Sequence, residues 1–300
     1  MNAGERLPGT PAPMHMWTTP QGLRIAADTW GDPNGPLVVL LHGGGQTRHA
    51  WRSTARKLGA AGYHAVAYDL RGHGDSDWSP DGDYAQETFA RDLQAVIHVL
   101  GDRKSVLVGA SLGAATALTA VGQGLVDAAA LIMVDFVAST EPEGFERVKA
   151  FMLSGPEGFA SLEDVADAIT AFRGGVERPA NLSGLAKVVR RGPDGRFRWH
   201  WDQRQIDWRV KEYPRRHLAL SDCARKVRVP LLLLRGGSSD VVSEEGAREF
   251  LQLVPHADYV NIEGAGHMIA GDRNDTFGQA ASPFLARVAP VPAPASQAVG

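Results

Sequence analysis

The chain has 300 residues, 44 % of them hydrophobic, and a formal net charge of −3, which is ordinary for a soluble globular protein with a large core. This balanced charge argues against a nucleic-acid partner or an anionic membrane partner. The single cysteine, Cys223, excludes an intrachain disulfide, and we expect it to be a buried packing residue.

Neither end of the chain carries a targeting or anchoring pattern. No apolar run reaches the roughly 18 residues that a membrane helix needs, and residues 1–13 lack the apolar stretch of a signal peptide. We therefore predict a cytoplasmic protein. Residues 1–13 and the Ala- and Pro-rich residues 289–300 are predicted to be flexible tails.

The predicted elements begin with a hairpin, whose strands cover residues 14–19 and 23–30. The next run, residues 36–41, is apolar without interruption, which is typical of a strand buried on both faces of a parallel sheet. Strands and helices then alternate. The pattern predicts, in order, a helix over 51–61, a strand over 64–69, a helix over 84–100, a strand over 105–108, a helix over 112–121 and a strand over 129–135.

The alternation stops between residues 141 and 223, where the sequence is more polar and has helical pieces such as 162–172. It resumes with a strand over 230–234, a helix over 244–253, a strand over 257–262 and a helix over 274–288. Alternating strands and helices predict an α/β fold with a mostly parallel, doubly wound sheet. We interpret the interruption as an inserted, mainly helical cap, residues 140–222, on a core formed by residues 14–139 and 223–288.

The strongest chemical signal is Gly109-Ala110-Ser111-Leu112-Gly113, between a predicted strand and a predicted helix. A sharp strand-to-helix turn of this kind presents its serine above the sheet as a nucleophile. Side chains two positions before and after that serine would collide, so Gly109 and Gly113 relieve the crowding. The sequence therefore predicts Ser111 as a catalytic nucleophile.

A glycine-rich loop, His42-Gly43-Gly44-Gly45, follows the strand Leu37–Leu41. Such a loop can turn a backbone N–H towards a developing oxyanion, together with the N–H of the residue after the nucleophile. We predict Gly44 and Leu112 as the oxyanion-hole donors, with Gly45 as the alternative donor or a substrate contact. We expect His42 to orient this loop through hydrogen bonds.

A serine nucleophile needs a base, and the base needs an orienting acid. Among ten histidines, His267 alone follows the last strand in a glycine-rich loop, so we predict it as the base. Two aspartates follow strands between Ser111 and His267. We prefer Asp240 as the acid because Gly236-Gly237-Ser238-Ser239 gives its loop freedom to curl. Asp135 stays an alternative acid, or a residue of the cap hinge or pocket wall.

These motifs, with Asp69-Leu70-Arg71-Gly72-His73-Gly74, make the chain resemble the α/β-hydrolase superfamily over residues 37–267. It is similar to the branch of cofactor-free haloperoxidases, carboxylesterases and lactonases. The resemblance implies hydrolysis of an ester or lactone without a cofactor or metal, and a structural role for the Arg71-Gly72-His73-Gly74 loop. Epoxide hydrolases and haloalkane dehalogenases carry aspartate at the elbow, whereas this chain has Ser111.

The substrate is less well defined. Trp199 and Trp201 could line an apolar pocket for a small apolar or aromatic molecule, or could pack the cap onto the sheet. The same triad could also cleave carbon–carbon bonds, form peracids as a perhydrolase, or serve a slow-turnover ligand receptor. We expect a small-molecule substrate as the partner. The sequence leaves open whether the protein forms a homodimer.

Overall fold

The computed structural model describes residues 3–173, 182–267 and 274–292. Its strands are β1 (Glu5–Arg6), β2 (His15–Thr18), β3 (Arg24–Trp30), β4 (Leu37–Leu41), β5 (His64–Tyr68), β6 (Ser105–Ala110), β7 (Ala128–Val134), β8 (Val189–Arg191), β9 (Phe197–Trp199), β10 (Leu231–Gly236) and β11 (Asp258–Ile262). The helices are α1 (Arg52–Ala60), α2 (Gln86–Val99), α3 (Leu112–Gly122), α4 (Pro142–Met152), α5 (Leu162–Phe172), α6 (Arg204–Lys226), α7 (Glu244–Leu253) and α8 (Asn274–Val288).

The central sheet has the strand order β11-β10-β7-β6-β4-β5-β3-β2. The five neighbouring pairs from β11 to β5 are parallel, and β3 pairs antiparallel with both β5 and β2. The predicted mostly parallel sheet and opening hairpin are therefore confirmed. Because the inner strands are parallel, their carboxyl ends meet at one edge, where the connecting loops can hold a ligand.

Helices cover both faces of this sheet. Alternate residues of β4 pack to opposite sides: Leu37, Val39 and Leu41 face α2, α3 and α7, whereas Val38 and Leu40 face α1 and α8. Burial on both faces is the reason for the uninterrupted apolar sequence of β4. The predicted doubly wound arrangement is confirmed.

The segment predicted as a cap, called the cap below, contains α4, α5, a 3-10 helix over Leu182–Lys187, β8, β9 and the first part of α6. It has its own apolar core, formed by Met152, Val165, Val189, Trp199, Trp201 and Ile206. Within the described part of the cap, two short strands accompany the helices. The part of the predicted cap at residues 174–181 lies outside the described residues.

Two predicted domain boundaries differ from the structure. Strand β1 pairs antiparallel with β8, so residues predicted to lie in a flexible tail extend the cap sheet. Helix α6 runs through the predicted boundary at residues 222 and 223, and Cys223 near its end packs into the main core as a buried residue. The predicted tail at residues 293–300 lies outside the described residues. No helix in the described ranges is long and apolar enough to cross a membrane.

Candidate active site

Ser111 lies in the turn between β6 and α3, at the carboxyl edge of the sheet. Its backbone has φ 47° and ψ −108°, a strained conformation for a residue with a side chain. Close packing before and after Ser111 holds the backbone in this conformation. A Cβ on Gly109 would lie 2.4 Å from the Ala114 nitrogen, and one on Gly113 would lie 2.3 Å from the Leu41 carbonyl oxygen. The local geometry therefore requires glycine at both positions, as the sequence predicts.

His267 is oriented by Asp135. Its Nδ1 lies 2.7 Å from Asp135 Oδ2, and because a carboxylate only accepts, the ring donates this hydrogen bond. The Asp135 carboxylate is fully buried and also accepts from the Gly236 N–H at 2.8 Å and the Ser239 hydroxyl at 2.5 Å. With Nδ1 protonated, the imidazole Nε2 carries a lone pair and can take a proton.

The prediction of Asp240 as the orienting acid is wrong in this geometry. The Asp240 carboxylate is about half exposed and pairs with Arg147 of α4 at 2.6 Å. The glycine-rich loop after β10 does curl, but it directs Gly236 and Ser239, rather than Asp240, towards the centre of the sheet edge. Asp240 therefore joins the core to the cap, which is the kind of role that the sequence left open for Asp135.

The strand order explains why Asp135, rather than Asp240, reaches His267. Strand β7 lies between β6 and β10, so the residue that follows β7 leaves the sheet beside the Ser111 turn. The histidine loop docks onto the end of β10, where the Ser238 N–H donates to Ala265 O at 2.8 Å. A Cβ on Gly236 would lie 2.6 Å from the Gly266 carbonyl oxygen, so glycine allows this close approach. His267 is thereby held above Asp135.

The glycine loop after β4 faces the same space. The Gly45 N–H donates to His73 Nε2 at 3.3 Å, whereas no hydrogen bond to the Gly44 N–H is found within the described residues. The Leu112 N–H is at the first turn of α3, where backbone donors have no intrahelical partner. The arrangement favours Gly44 over Gly45 as the loop donor.

His42 holds this loop, as the sequence predicts. Its Nδ1–H donates to Gly43 O at 2.8 Å, and its Nε2 accepts from the Leu70 N–H at 3.0 Å. Burial lowers the pKa of this ring, which keeps it neutral. The loop at residues 71–74, predicted to be structural, is also held by hydrogen bonds. The His73 ring donates to the Arg71 carbonyl oxygen, and the Gly74 N–H donates to the ring of His200 in the cap.

A cavity of about 270 Å³ lies between the sheet edge and the cap. Ser111, His267 and the predicted substrate contact Gly45 line it, together with Gly43 and Gly44. Seven large apolar residues of the cap also line it: Val148, Phe151, Ile169, Phe172, Val188, Trp199 and Trp201. Ser111 and His267 also line a second, smaller cavity of about 40 Å³.

Trp199 and Trp201 pack inside the cap and also reach the cavity wall. Their rings stack at 4.7 Å, and each indole N–H donates to a backbone carbonyl of residues 152–154 at 3.0 Å. Both are buried in the cap core, and both also form part of the cavity wall. Packing thus fixes two aromatic rings at the cavity wall.

Sequence reasoning missed two polar residues of this cavity, one from the cap and one from the 3-10 helix Arg48–Trp51 that precedes α1. His49 has both ring nitrogens buried without a partner among the described residues, and burial lowers its pKa to about 4. Arg209 of α6 lies against Gly44, and burial lowers its pKa to about 9. Neither residue belongs to a motif, and Arg209 reaches the cavity from the cap.

The chain matches the profile of the alpha/beta hydrolase fold over residues 36–273. It belongs to this family and is an enzyme of the hydrolase class.

Among curated proteins, Esterase Rv0045c of Mycobacterium tuberculosis (strain ATCC 25618 / H37Rv) is 30 % identical over 257 residues, covering 83 % of this chain and 82 % of the relative. Non-heme chloroperoxidase CPO-A1 of Kitasatospora aureofaciens is 28 % identical over 278 residues, covering 87 % and 95 %. Among solved structures, E-2-(acetamidomethylene)succinate hydrolase superposes with a TM-score of 0.77 at 23 % identity, covering 89 % of this chain and 98 % of that one.

Proposed function

We propose that the protein hydrolyses a carboxylic ester or lactone of a small, apolar or aromatic molecule through an acyl-enzyme on Ser111. The observation that carries this proposal is the hydrogen bond from His267 to buried Asp135, at the wall of the cavity that also contains the strained Ser111. Similarity to a mycobacterial esterase supports the reaction class. The apolar wall of the cavity supports the nature of the substrate.

In the proposed reaction, Ser111 Oγ attacks the carbonyl carbon while its proton passes to His267 Nε2. The Gly44 and Leu112 amides bind the resulting oxyanion, a contribution of about 3 kcal/mol for each donor in comparable sites. Collapse of the tetrahedral intermediate breaks the ester bond, and His267 gives its proton to the leaving alcohol. Water then attacks the acyl-enzyme by the same route, which releases the acid and restores Ser111.

Asp135 holds the Nδ1 tautomer and stabilises the imidazolium that forms in both half-reactions. Its three hydrogen-bond donors keep the carboxylate in place in a buried site, since a buried charge needs such partners. Ser239 is a positioning residue, because its hydroxyl touches Asp135 rather than the reacting atoms.

A peroxide-dependent reaction is the second candidate, favoured by the similarity to a non-heme chloroperoxidase over most of both chains. Hydrogen peroxide would replace water as the attacking group on the acyl-enzyme and would release a peracid. Turnover of acetate with peroxide, followed by peracid-dependent bromination, separates this activity from simple hydrolysis.

The proposed hydrolysis is tested with a panel of p-nitrophenyl esters and lactones on the wild type and on Ser111→Ala. Wild-type turnover with at least one ester and a loss in kcat of about 10⁶-fold in the variant are expected. Circular dichroism controls for folding. A folded variant that keeps more than about a hundredth of wild-type kcat would contradict the role of Ser111.

A further inference from the structure

Two arginines of α6 project towards the candidate active site. Arg209 and Arg216 are seven residues apart, which places them on one face of the helix. Arg209 lines the 270 Å³ cavity, and both arginines line the smaller cavity that also contains Ser111 and His267. This face of α6 therefore brings two cations to the space where the reaction takes place.

Both arginines lack a carboxylate partner within the described residues. The hydrogen bond found for Arg209 is a long one, 3.4 Å to the neutral side-chain oxygen of Gln205. The guanidinium carbon of Arg216 lies 5.4 Å from the centre of the Phe136 ring. No Asp or Glu among the described residues lines either cavity.

Three of the four buried arginines among the described residues pair with aspartates, and the fourth, Arg235, donates to the oxygens of Val242 and Asn261. Arg48 contacts three aspartates, and Arg71 and Arg190 each contact one. Since a buried cation is costly without a partner, the fold ordinarily provides one. Arg209 and Arg216 are partly exposed, line the cavities and have no carboxylate partner among the described residues, so a ligand in the cavity can supply one.

Arg209 is also close to the predicted oxyanion hole. A Cβ built on Gly44 would lie 3.0 Å from Arg209 Nη1 and 3.1 Å from Nη2. Burial and the neighbouring Arg216 lower the pKa of Arg209 to about 9, which leaves it protonated at neutral pH. An anion bound to this guanidinium would lie a few bonds from a carbonyl held by Gly44.

We propose that the substrate carries a carboxylate a few bonds from the scissile carbonyl, and that Arg209 binds it, with Arg216 adding positive charge. This inference rests on the proposed ester hydrolysis and adds a charged group to the substrate: a half-ester of a small dicarboxylic acid, whose carboxylate binds Arg209 while its apolar or aromatic part contacts the cap wall. A guanidinium suits such a group because it can donate two parallel hydrogen bonds to a carboxylate. Arg209 is then the residue that determines specificity.

The test compares two esters that differ only at the end of the acyl chain: p-nitrophenyl valerate and the mono-p-nitrophenyl ester of glutaric acid. The wild type should prefer the anionic ester in kcat/KM. Arg209→Met should lose about 10- to 100-fold on the anionic ester and less than about threefold on the neutral one. Arg209→Lys should recover part of the preference. Ser111→Ala gives the background rate for each ester.

Arg215→Met is the matched control, since it removes the same charge from an exposed position of the same helix. It should keep the wild-type preference. If Arg209→Met keeps that preference, or slows both esters equally, the carboxylate site is wrong while ester hydrolysis stands. If the wild type hydrolyses neither ester, the proposed function fails in this panel.

A second measurement needs no turnover. Calorimetric titration of glutarate into Ser111→Ala should give a Kd that rises at least about tenfold when Arg209→Met is added. An unchanged Kd would overturn the carboxylate site whatever the outcome of the kinetic comparison.

Discussion

Three buried histidines, His42, His73 and His200, connect the loops around the candidate active site. Each ring donates from one nitrogen to a backbone carbonyl and accepts a backbone N–H with the other. The accepted N–H groups belong to Leu70, Gly45 and Gly74. A protonated ring has no acceptor nitrogen, so protonation would break one hydrogen bond at each ring.

These histidines make the stability depend on pH. Burial lowers the pKa of all three below the ordinary value of 6.5, to about 3 for His200. The unfolded chain therefore binds more protons below pH 6.5, and the free energy of unfolding falls as the pH falls from there towards the folded pKa values. Each histidine contributes up to about 1.4 kcal/mol per pH unit.

Urea unfolding at pH 7, 6 and 5 measures this dependence. His200→Gln should flatten it, because glutamine can donate and accept without titrating. His217→Gln, which replaces an exposed histidine of α6, is the control substitution. Stability that stays constant from pH 7 to pH 5 would contradict the neutral, hydrogen-bonded state of the three rings.

At the residue scale, motif and glycine context were sufficient to predict Ser111 and His267 at the site, but not the acid. Asp135 and Asp240 both follow buried strands, and the sequence does not say which strand neighbours β6. The structure places β7 there, so Asp135 reaches His267 and Asp240 reaches Arg147. Strand order, a property of long-range pairing, decided between them.

At the scale of elements, the turn between β6 and α3 depends on how closely α3 approaches β4. Gly113 is in the first turn of α3, and a methyl group there would lie 2.3 Å from Leu41 O, which is backbone and cannot move alone. Gly278 in α8 has the same helical setting with no atom within 4 Å of the methyl position. The two glycines thus form a matched pair.

We expect Gly113→Ala to lower the free energy of unfolding by about 2 kcal/mol or more, because overpacking displaces the strand or the helix. Gly278→Ala should leave it unchanged or raise it by up to about 1 kcal/mol, since alanine favours a helix over glycine. Urea unfolding measures both changes. Equal effects of the two substitutions would show that close packing at the Ser111 turn is not what requires Gly113.

Elements of the core were predictable because their patterns are local. The β4 sequence is apolar at every position, and the structure buries all five residues of this strand. The cap was predicted less well. Strands β8 and β9 are three residues long, and β1 pairs with β8 across a long stretch of sequence, so no local periodicity marks them.

At the scale of the whole molecule, the candidate site exists only where core and cap meet. The core supplies Ser111, His267 and Asp135 from three connections after β6, β11 and β7. The cap supplies the tryptophan wall and Arg209. The ion pair of Asp240 with Arg147 and the bond of Gly74 to His200 tie the two parts together. The shape of the cavity therefore depends on how the cap packs against the core.

The most direct test of this account compares kcat for ester hydrolysis in Asp135→Asn and Asp240→Asn, with near-ultraviolet circular dichroism as the control for folding. Asp135→Asn should lose about 10⁴-fold, the cost of removing the acid in a related triad. Asp240→Asn removes an exposed ion pair, so it should change stability by at most about 1 kcal/mol and kcat by only a few fold. The reverse ranking, in two folded variants, would contradict the assignment of Asp135 to His267.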